Sequence, residues 1–298
     1  MEQAFPIGCH VSAAGGVFNA PKNAFDLGCE TFQIFSRPPM GGKAPVIDQS
    51  SVEKFKAEMR QYQFKSFVVH CPYFVNFGSD QARIYHGSIS VVSEELKRAN
   101  SLGADFVMTH LGSAKSLGQK AAIAQTRKGL TEVLKKYEGP STALRTGDTK
   151  FLLEIAAGAG EIIGDSFEEL AELMEPLVKF KTFGGICFDT QHAFSSGYDI
   201  RNAKTIGETF KKFDKIIGLK WLKMSHINDS KTELGGRKDR HDHIGDGKIG
   251  QEGFKGLLHY LKSKIPNLKS PAVFPLIFET QHDKVKEDMK ILKSLRGK

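Results

Sequence analysis

Asp189 and His192 stand three residues apart in CFDTQHAFSSGYD (187–199), directly after an apolar run. A carboxylate and an imidazole so placed are either a satisfied polar pair or two ligands for a metal ion. A second pairing, Asp239 and His241, lies in GGRKDRHDHIGDG (235–247). There, alternate side chains of an extended segment share one side and can grip an ion together. His70, His110, Glu154, His226 and Glu279 each close an apolar run of their own. Imidazole nitrogen mixed with carboxylate oxygen, without thiolate, suits Zn2+, Mn2+ or Fe2+ in catalytic sites. These nine candidates, five His, two Asp and two Glu, exceed what one or two ions take. A carboxylate bridging two ions makes three ions possible.

Such residues need elements that bring them to one place. Short apolar, β-branched runs alternate with segments of helical period. They predict eight strands, at 6–12, 31–35, 66–70, 105–110, 150–155, 184–190, 219–227 and 273–280. Helices are predicted between them, among others SVEKFKAEMRQY, HGSISVVSEELKRANSLG, SFEELAELMEPLVKF and NAKTIGETFKKFDKII, with KVKEDMKILKSL after the last strand. Ser166 followed three residues later by Glu169 has the form of a capping box. Eight β-then-α units over 298 residues suit an α/β protein of the (β/α)8 TIM-barrel class, with residues 1–298 forming a single domain. A doubly wound open sheet is the competing fold. It normally has fewer strands and often a glycine-rich phosphate turn, and no GxGxxG or GxxxxGK[ST] joins a strand to a helix here. The polar stretch EGPSTALRTGDTK (138–150) reads as the loop before the fifth strand.

A barrel gathers the C-terminal ends of its strands on one rim, where active sites are built. Seven of the eight predicted strands deliver an ionisable group there: His10, His70, His110, Glu154, Asp189 with His192, His226 and Glu279. A lone histidine after a strand is ordinarily a hydrogen-bonded structural residue, and a lone buried carboxylate an ion-pair partner or cap. Convergence changes that reading. Uncompensated buried charges are costly and clustered like charges drive protonation; divalent cations resolve both. His243, beside the Asp239–His241 pair, keeps the structural reading.

The composition is that of a globular chain, 40% hydrophobic and 26% charged. Cys9, Cys29, Cys71 and Cys187 show no CxxC spacing, which speaks against a zinc ribbon or a redox motif and for reduced thiols in a reducing compartment. No basic leader followed by an apolar stretch is seen at MEQAFPIG, and no apolar run approaches the ~20 residues that span a bilayer. A cytoplasmic monomer is therefore expected. The formal charge of +8 hints at a polyanionic partner.

The chain resembles the endonuclease IV family of apurinic/apyrimidinic (AP) endonucleases. The motifs that carry the resemblance are GCHVSAAGG (8–16), HCPYFVNFG (70–78), HLGS (110–113), CFDTQHAFSSGYD (187–199), HINDSKTELGGRKDRHDHIGDGKIG (226–250) and FET (278–280). The resemblance implies a TIM barrel holding three Zn2+ ions, with Mn2+ or Fe2+ as substitutes. One ion would be bound by His70, His110 and Glu154, with Glu154 bridging to the second. The second would take Glu154, Asp189, His226 and Glu279, and the third His192, Asp239 and His241. It further implies hydrolysis of the phosphodiester 5′ to an abasic site in double-stranded DNA by multi-metal chemistry, with Glu154 and Glu279 catalytic, and removal of blocking groups from 3′ ends. Tyr73 matches the family's minor-groove tyrosine and Asn76 follows in the same motif; Arg240 lies between two ligands.

Two stretches depart from the family's pattern. FSRPPMGGK (35–43) lacks the usual inserting arginine, leaving Arg37 or Met40 as substitutes, and EIAAGAG (154–160) keeps the glutamate but loses polar neighbours. The alternative on the same architecture is a metal-dependent sugar isomerase or epimerase. That chemistry has little use for a third-metal grip at Asp239 and His241. A non-catalytic lesion binder would need no bridging glutamate.

Overall fold

Strands β1 (Ile7–His10), β2 (Thr31–Phe35), β3 (Val68–His70), β4 (Phe106–Thr109), β5 (Lys150–Glu154), β6 (Phe183–Asp189), β7 (Leu222–His226) and β10 (Leu276–Phe278) close into one parallel barrel. Two two-residue strands, β8 (Asp229–Ser230) and β9 (His241–Asp242), pair antiparallel outside it. The structure is a computed structural model and describes residues 5–139, 149–265 and 273–297. The expected (β/α)8 architecture is the observed one. Around the barrel lie α1 (Ala20–Asp26), α2 (Gln49–Gln61), α3 (Ala82–Leu102), α4 (Gln119–Glu138), α5 (Phe167–Met174), α6 (Thr190–Ser195), α7 (Ala203–Ile216), α8 (Gly250–Lys264) and α9 (Val285–Arg296).

Local chemistry sets the helix ends. Asp48 caps α2 by accepting from Ser51 N at 2.8 Å, and Asn202 with Thr205 forms a capping box on α7, satisfying amides that the first turn leaves unpaired. The box predicted at Ser166 is only half formed. Ser166 Oγ accepts from Glu169 N, but the Glu169 carboxylate turns to Gly164 N and Gln119 Nε2, at 2.8 and 2.9 Å. That helix also stops at Met174 rather than near residue 180, ahead of Pro176, which cannot continue it. The strand predicted at 219–227 begins only at Leu222, because 219–221 form a 3-10 turn. The predicted loop at 138–150 lies largely outside the described residues.

Side chains alternate across a strand, and that alternation builds the site. Val68, Phe106, Met108, Leu152, Cys187, Met224 and Ile277 form an apolar cluster of their own. Two residues further along each strand, on the same face, stand His70, His110, Glu154, Asp189, His226 and Glu279. Close packing makes such a layer stiff, so the ionisable layer rests on a rigid floor. The outward faces pack against the helices in the larger core, with Phe32, Phe67, Phe151, Phe188 and Phe278 almost fully buried. Gly185 permits a close approach between β6 and the turn that leads into β7. Its φ is +139°, and a Cβ there would lie 2.1 Å from Trp221 O, beside the register shifts on either edge of β6.

Candidate metal centre

Glu154, fully buried at the end of β5, is the hub of the ionisable layer. Its Oε2 lies 3.2 Å from His70 Nε2 and 3.5 Å from His110 Nδ1. Its Oε1 lies 2.6 Å from His226 Nδ1 and 3.6 Å from His192 Nδ1. The two oxygens of one carboxylate thus serve two different sets of imidazoles. His226 Nδ1 also faces Glu279 Oε2 at 3.2 Å and Asp189 Oδ2 at 3.7 Å. The donor atoms of His70, His110 and Glu154, and those of Glu154, Asp189, His226 and Glu279, lie within 4.8 Å of one another in each group. Cys187 Sγ comes as near to Glu154 and His226, but burial pushes its thiol up to about 12, and it belongs to the apolar floor.

A third group sits beside these. His192 Nε2, on α6, is 3.4 Å from His241 Nε2 and 3.5 Å from Asp239 Oδ2, and His241 Nε2 is 3.3 Å from Asp239 Oδ1. Asp189 joins His192 and His241 as well, its Oδ2 3.9 Å from His241 Nε2. It therefore borders two groups. The loop carrying Asp239 and His241 is anchored from below, where Gln191 Nε2 and Ser195 Oγ both donate to Lys238 O at 2.9 Å. The β8–β9 pairing sets Ser230 opposite His241.

The electrostatics are those of charges compensating one another. Burial alone would push the Glu154 carboxyl up, but His110, His226 and His70 hold it well below the usual carboxylate range. Burial works against a charged His192, yet Asp189, Asp239 and Glu154 raise it to about 10. Burial likewise opposes ionised Asp239, and the neighbouring His192 and His241 bring it below its ordinary value. For His110 burial wins, and its pKa falls. Ionised carboxylates packed among imidazoles, with no thiolate, are the donor chemistry of catalytic zinc, manganese and iron sites. The residues fit divalent ions.

Residues 21–295 match the family described as Xylose isomerase-like TIM barrel. A "Probable endonuclease 4" from Nitrosopumilus maritimus is 34% identical over 292 residues, 97% of this chain and 98% of that protein. The chain belongs to the endonuclease IV family. Endonuclease IV from Thermus thermophilus superposes with a TM-score of 0.79 at 29% identity, covering 97% of this chain and 98% of that one. A D-tagatose 3-epimerase-like protein superposes with a TM-score of 0.71 at 19% identity over 97% and 96%, a likeness of fold alone.

The residues expected to touch DNA in this family member divide into two kinds. Tyr73 and Met40 are exposed on the rim, at 53% and 82%. Tyr73 N donates to Pro39 O at 3.0 Å, tying their loops together, and the Tyr73 ring packs edge-on against Phe35 with centroids 5.1 Å apart. Arg240 is exposed, its Nη1 donating to Asp239 O at 2.6 Å. Arg37 is a correction. It is buried, with Nε 2.5 Å from Glu95 Oε1 and Nη2 2.8 Å from Glu94 Oε2, so its guanidinium is committed to α3 and not presented on the rim. Asn76 is a clamp. Its Oδ1 accepts from Gly78 N and Ser113 N at 2.9 and 3.1 Å, joining the loops after β3 and β4. His243 is held by Asp288 at 2.7 Å and Asp283 at 3.2 Å, apart from the donor groups.

Two buried residues escaped the sequence reading. Gln33 supplies β2, the strand with no His, Asp or Glu at its end, with a polar inward group. Asn228 Nδ2 donates to Asp189 Oδ2 at 2.7 Å, while its Oδ1 accepts from Glu279 N at 2.8 Å. Their signal was the alternation on β2 and the HIND run; neither amide titrates, so a search for ionisable groups passes over both.

Proposed function

We propose that this protein is a metal-dependent AP endonuclease of the deoxyribonuclease IV type. It hydrolyses the phosphodiester 5′ to an abasic site in double-stranded DNA, leaving a 3′-hydroxyl and a 5′-deoxyribose phosphate. It also clears blocking groups from 3′ ends. The observation that carries this reading is the placement of Glu154, whose two oxygens face separate donor groups, with a third group alongside at His192, Asp239 and His241.

Three Zn2+ ions, or Mn2+ or Fe2+ in their place, would be held by His70, His110 and Glu154; by Glu154, Asp189, His226 and Glu279; and by His192, Asp239 and His241. When bound, such ions neutralise the phosphate and make water nucleophilic at neutral pH. The side chains do the rest. Glu154 spaces the two deeper groups. Glu279, its Oε1 held by Gln33 at 2.7 Å and its side chain slightly exposed, orients the attacking water. A cleft of about 510 Å3 lined by Tyr73, Asn76, His110, Lys115, His192 and Asp239 takes the extruded sugar phosphate. Tyr73 and Met40 fill the space left in the helix and offset part of the unstacking cost, while Arg240 meets a DNA phosphate. The protein works as a monomer in the cytoplasm, where its free thiols stay reduced. Among the described residues no helix is long and apolar enough to cross a membrane.

The deciding experiment is incision of a duplex carrying one abasic-site analogue, with elemental analysis of the same sample. Zinc-loaded protein that leaves this duplex uncut would end the proposal. A sugar epimerase shares the barrel but gains nothing from the Asp239–His241 grip, and epimerisation without incision would mark that alternative.

A further inference from the structure

Gln33 is fully buried and faces inward from β2, its strand partner Val68 belonging to the barrel floor. Its carboxamide is engaged at both ends. Oε1 lies 2.8 Å from His226 Nε2, while Nε2 lies 2.7 Å from Glu279 Oε1 and 3.1 Å from His10 Nδ1. One orientation of the amide satisfies all three contacts. Turned over, its oxygen would face the Glu279 carboxylate oxygen, acceptor against acceptor. In the satisfied orientation the amide oxygen can only accept, so His226 keeps a proton on Nε2. Its Nδ1 is then the nitrogen directed at Glu154, Glu279 and Asp189. The same amide N–H group holds one oxygen of Glu279 and leaves the other toward His226.

We infer that Gln33 is a positioning residue for the deeper metal group. It fixes the His226 tautomer and the Glu279 carboxylate as one unit, so that Nδ1 and Oε2 stand ready beside Glu154 and Asp189. Both ends of its carboxamide are spent on His226, Glu279 and His10, so it acts through the two ligands. This rests on the metal-centre reading above. An apolar residue at position 33 would fill the volume but leave His226 free to turn and the Glu279 oxygen unpartnered in a buried site. Outer partners of this kind typically change metal affinity or activity by about 10–100-fold.

The test uses Zn2+ alone, titrated into full-length wild type and Gln33→Met against a chelator of known affinity, with melting temperatures of both stripped proteins. Gln33→Met is expected to fold and to lose zinc affinity about 10–100-fold. A Gln33→Met protein that holds zinc as tightly as the wild type overturns the inference and leaves the metal centre standing. Wild type that takes up no zinc overturns the metal centre and the inference with it. A second measurement needs no Gln33 variant. In 15N-histidine-labelled, zinc-loaded wild type, with His226→Asn used only to assign the signal, the His226 proton is expected on Nε2. A proton on Nδ1 overturns the inference.

Discussion

Asp189 Oδ1 accepts the backbone N–H of His192 at 2.7 Å, while Asp189 Oδ2 is held by Asn228 and faces His226 and His241 at 3.7 and 3.9 Å. The carboxylate that caps α6 is therefore also the one standing between the deeper donor group and the outer one. The cap does more than start a helix. It fixes where His192 begins, and the His192 ring is set further by Ile155 O, 2.9 Å from its Nδ1, leaving Nε2 toward Asp239 and His241. The cap, the Asn228 contact and the Ile155 carbonyl together set Asp189 and His192 between the two donor groups.

That division predicts unequal losses. Glu154→Gln should remove the shared ligand of two groups, lowering both zinc content and incision. A fall in kcat of about 1,000-fold or more corresponds to ~4 kcal/mol of lost transition-state stabilisation. His192→Ala should empty only the outer group. Elemental analysis and single-turnover cutting of abasic duplex check both, and equal metal loss in the two variants would contradict the division.

Tyr73→Ala should leave stability almost unchanged, since half of the side chain is already exposed. Cutting at abasic sites should slow by about tenfold, the equivalent of ~1.4 kcal/mol. The loss is expected in the assembly of the distorted complex, so it should shrink when the abasic site lies in a flexible, mismatched duplex that is cheaper to unstack. Unchanged kinetics on a fully paired duplex would remove Tyr73 from DNA recognition.

The barrel and most of the candidate centre were legible because one rule, alternation along a strand, places both the floor and the ligands. Met224-x-His226 and Leu152-x-Glu154 state it directly. The Asp239-x-His241 spacing was readable for the same reason. What failed was long-range. Nothing near Arg37 reveals that Glu94 and Glu95, on a helix almost sixty residues later, would claim its guanidinium. Gln33 was invisible because its importance lies in its partners on β7 and after β10, not in its own chemistry. The 219–221 segment is apolar enough to read as strand, yet it closes a 3-10 turn after Gly218, whose φ is +95°.

The correction at Arg37 separates two arginines by experiment. Arg37→Ala removes the partner of a buried Glu95, a change that typically costs about 3–5 kcal/mol. Arg98 Nε, 3.6 Å from the same carboxylate, should hold the loss near the lower end. Arg240→Ala should leave stability alone and reduce the salt dependence of DNA binding by about one phosphate contact. Chemical denaturation and binding at several salt concentrations distinguish them. A changed salt slope with unchanged stability in Arg37→Ala would reverse the assignment.

Asp105, just ahead of β4, gives a pH signature remote from the metal centre. Burial pushes its carboxyl up to about 6, against lowering by the Phe67 N–H that it accepts at 3.2 Å. A carboxyl raised on folding favours the folded state while protonated. That contribution is complete below the unfolded value near 4 and is lost as pH rises through 6. Asp105→Asn keeps an acceptor for Phe67 and cannot ionise. The variant should match the wild type at about pH 3 and exceed it by about 3 kcal/mol at pH 8. A difference that stays constant across this range would show that Asp105 is ordinary.

Removing the metal should separate activity from architecture. The barrel floor of Val68, Phe106, Met108, Leu152, Cys187, Met224 and Ile277 is apolar and complete without an ion, and the imidazoles already compensate the buried carboxylates. Stripped protein should therefore keep its far-ultraviolet circular dichroism while losing incision, and added Zn2+ should restore cutting. Ligand binding to the folded state alone raises stability by mass action, so the melting temperature should climb as zinc returns. Three equivalents per chain at full activity fit the three donor groups. Saturation at one equivalent, with full activity, would reduce the centre to a single ion and leave the Asp239–His241 pair without a catalytic role.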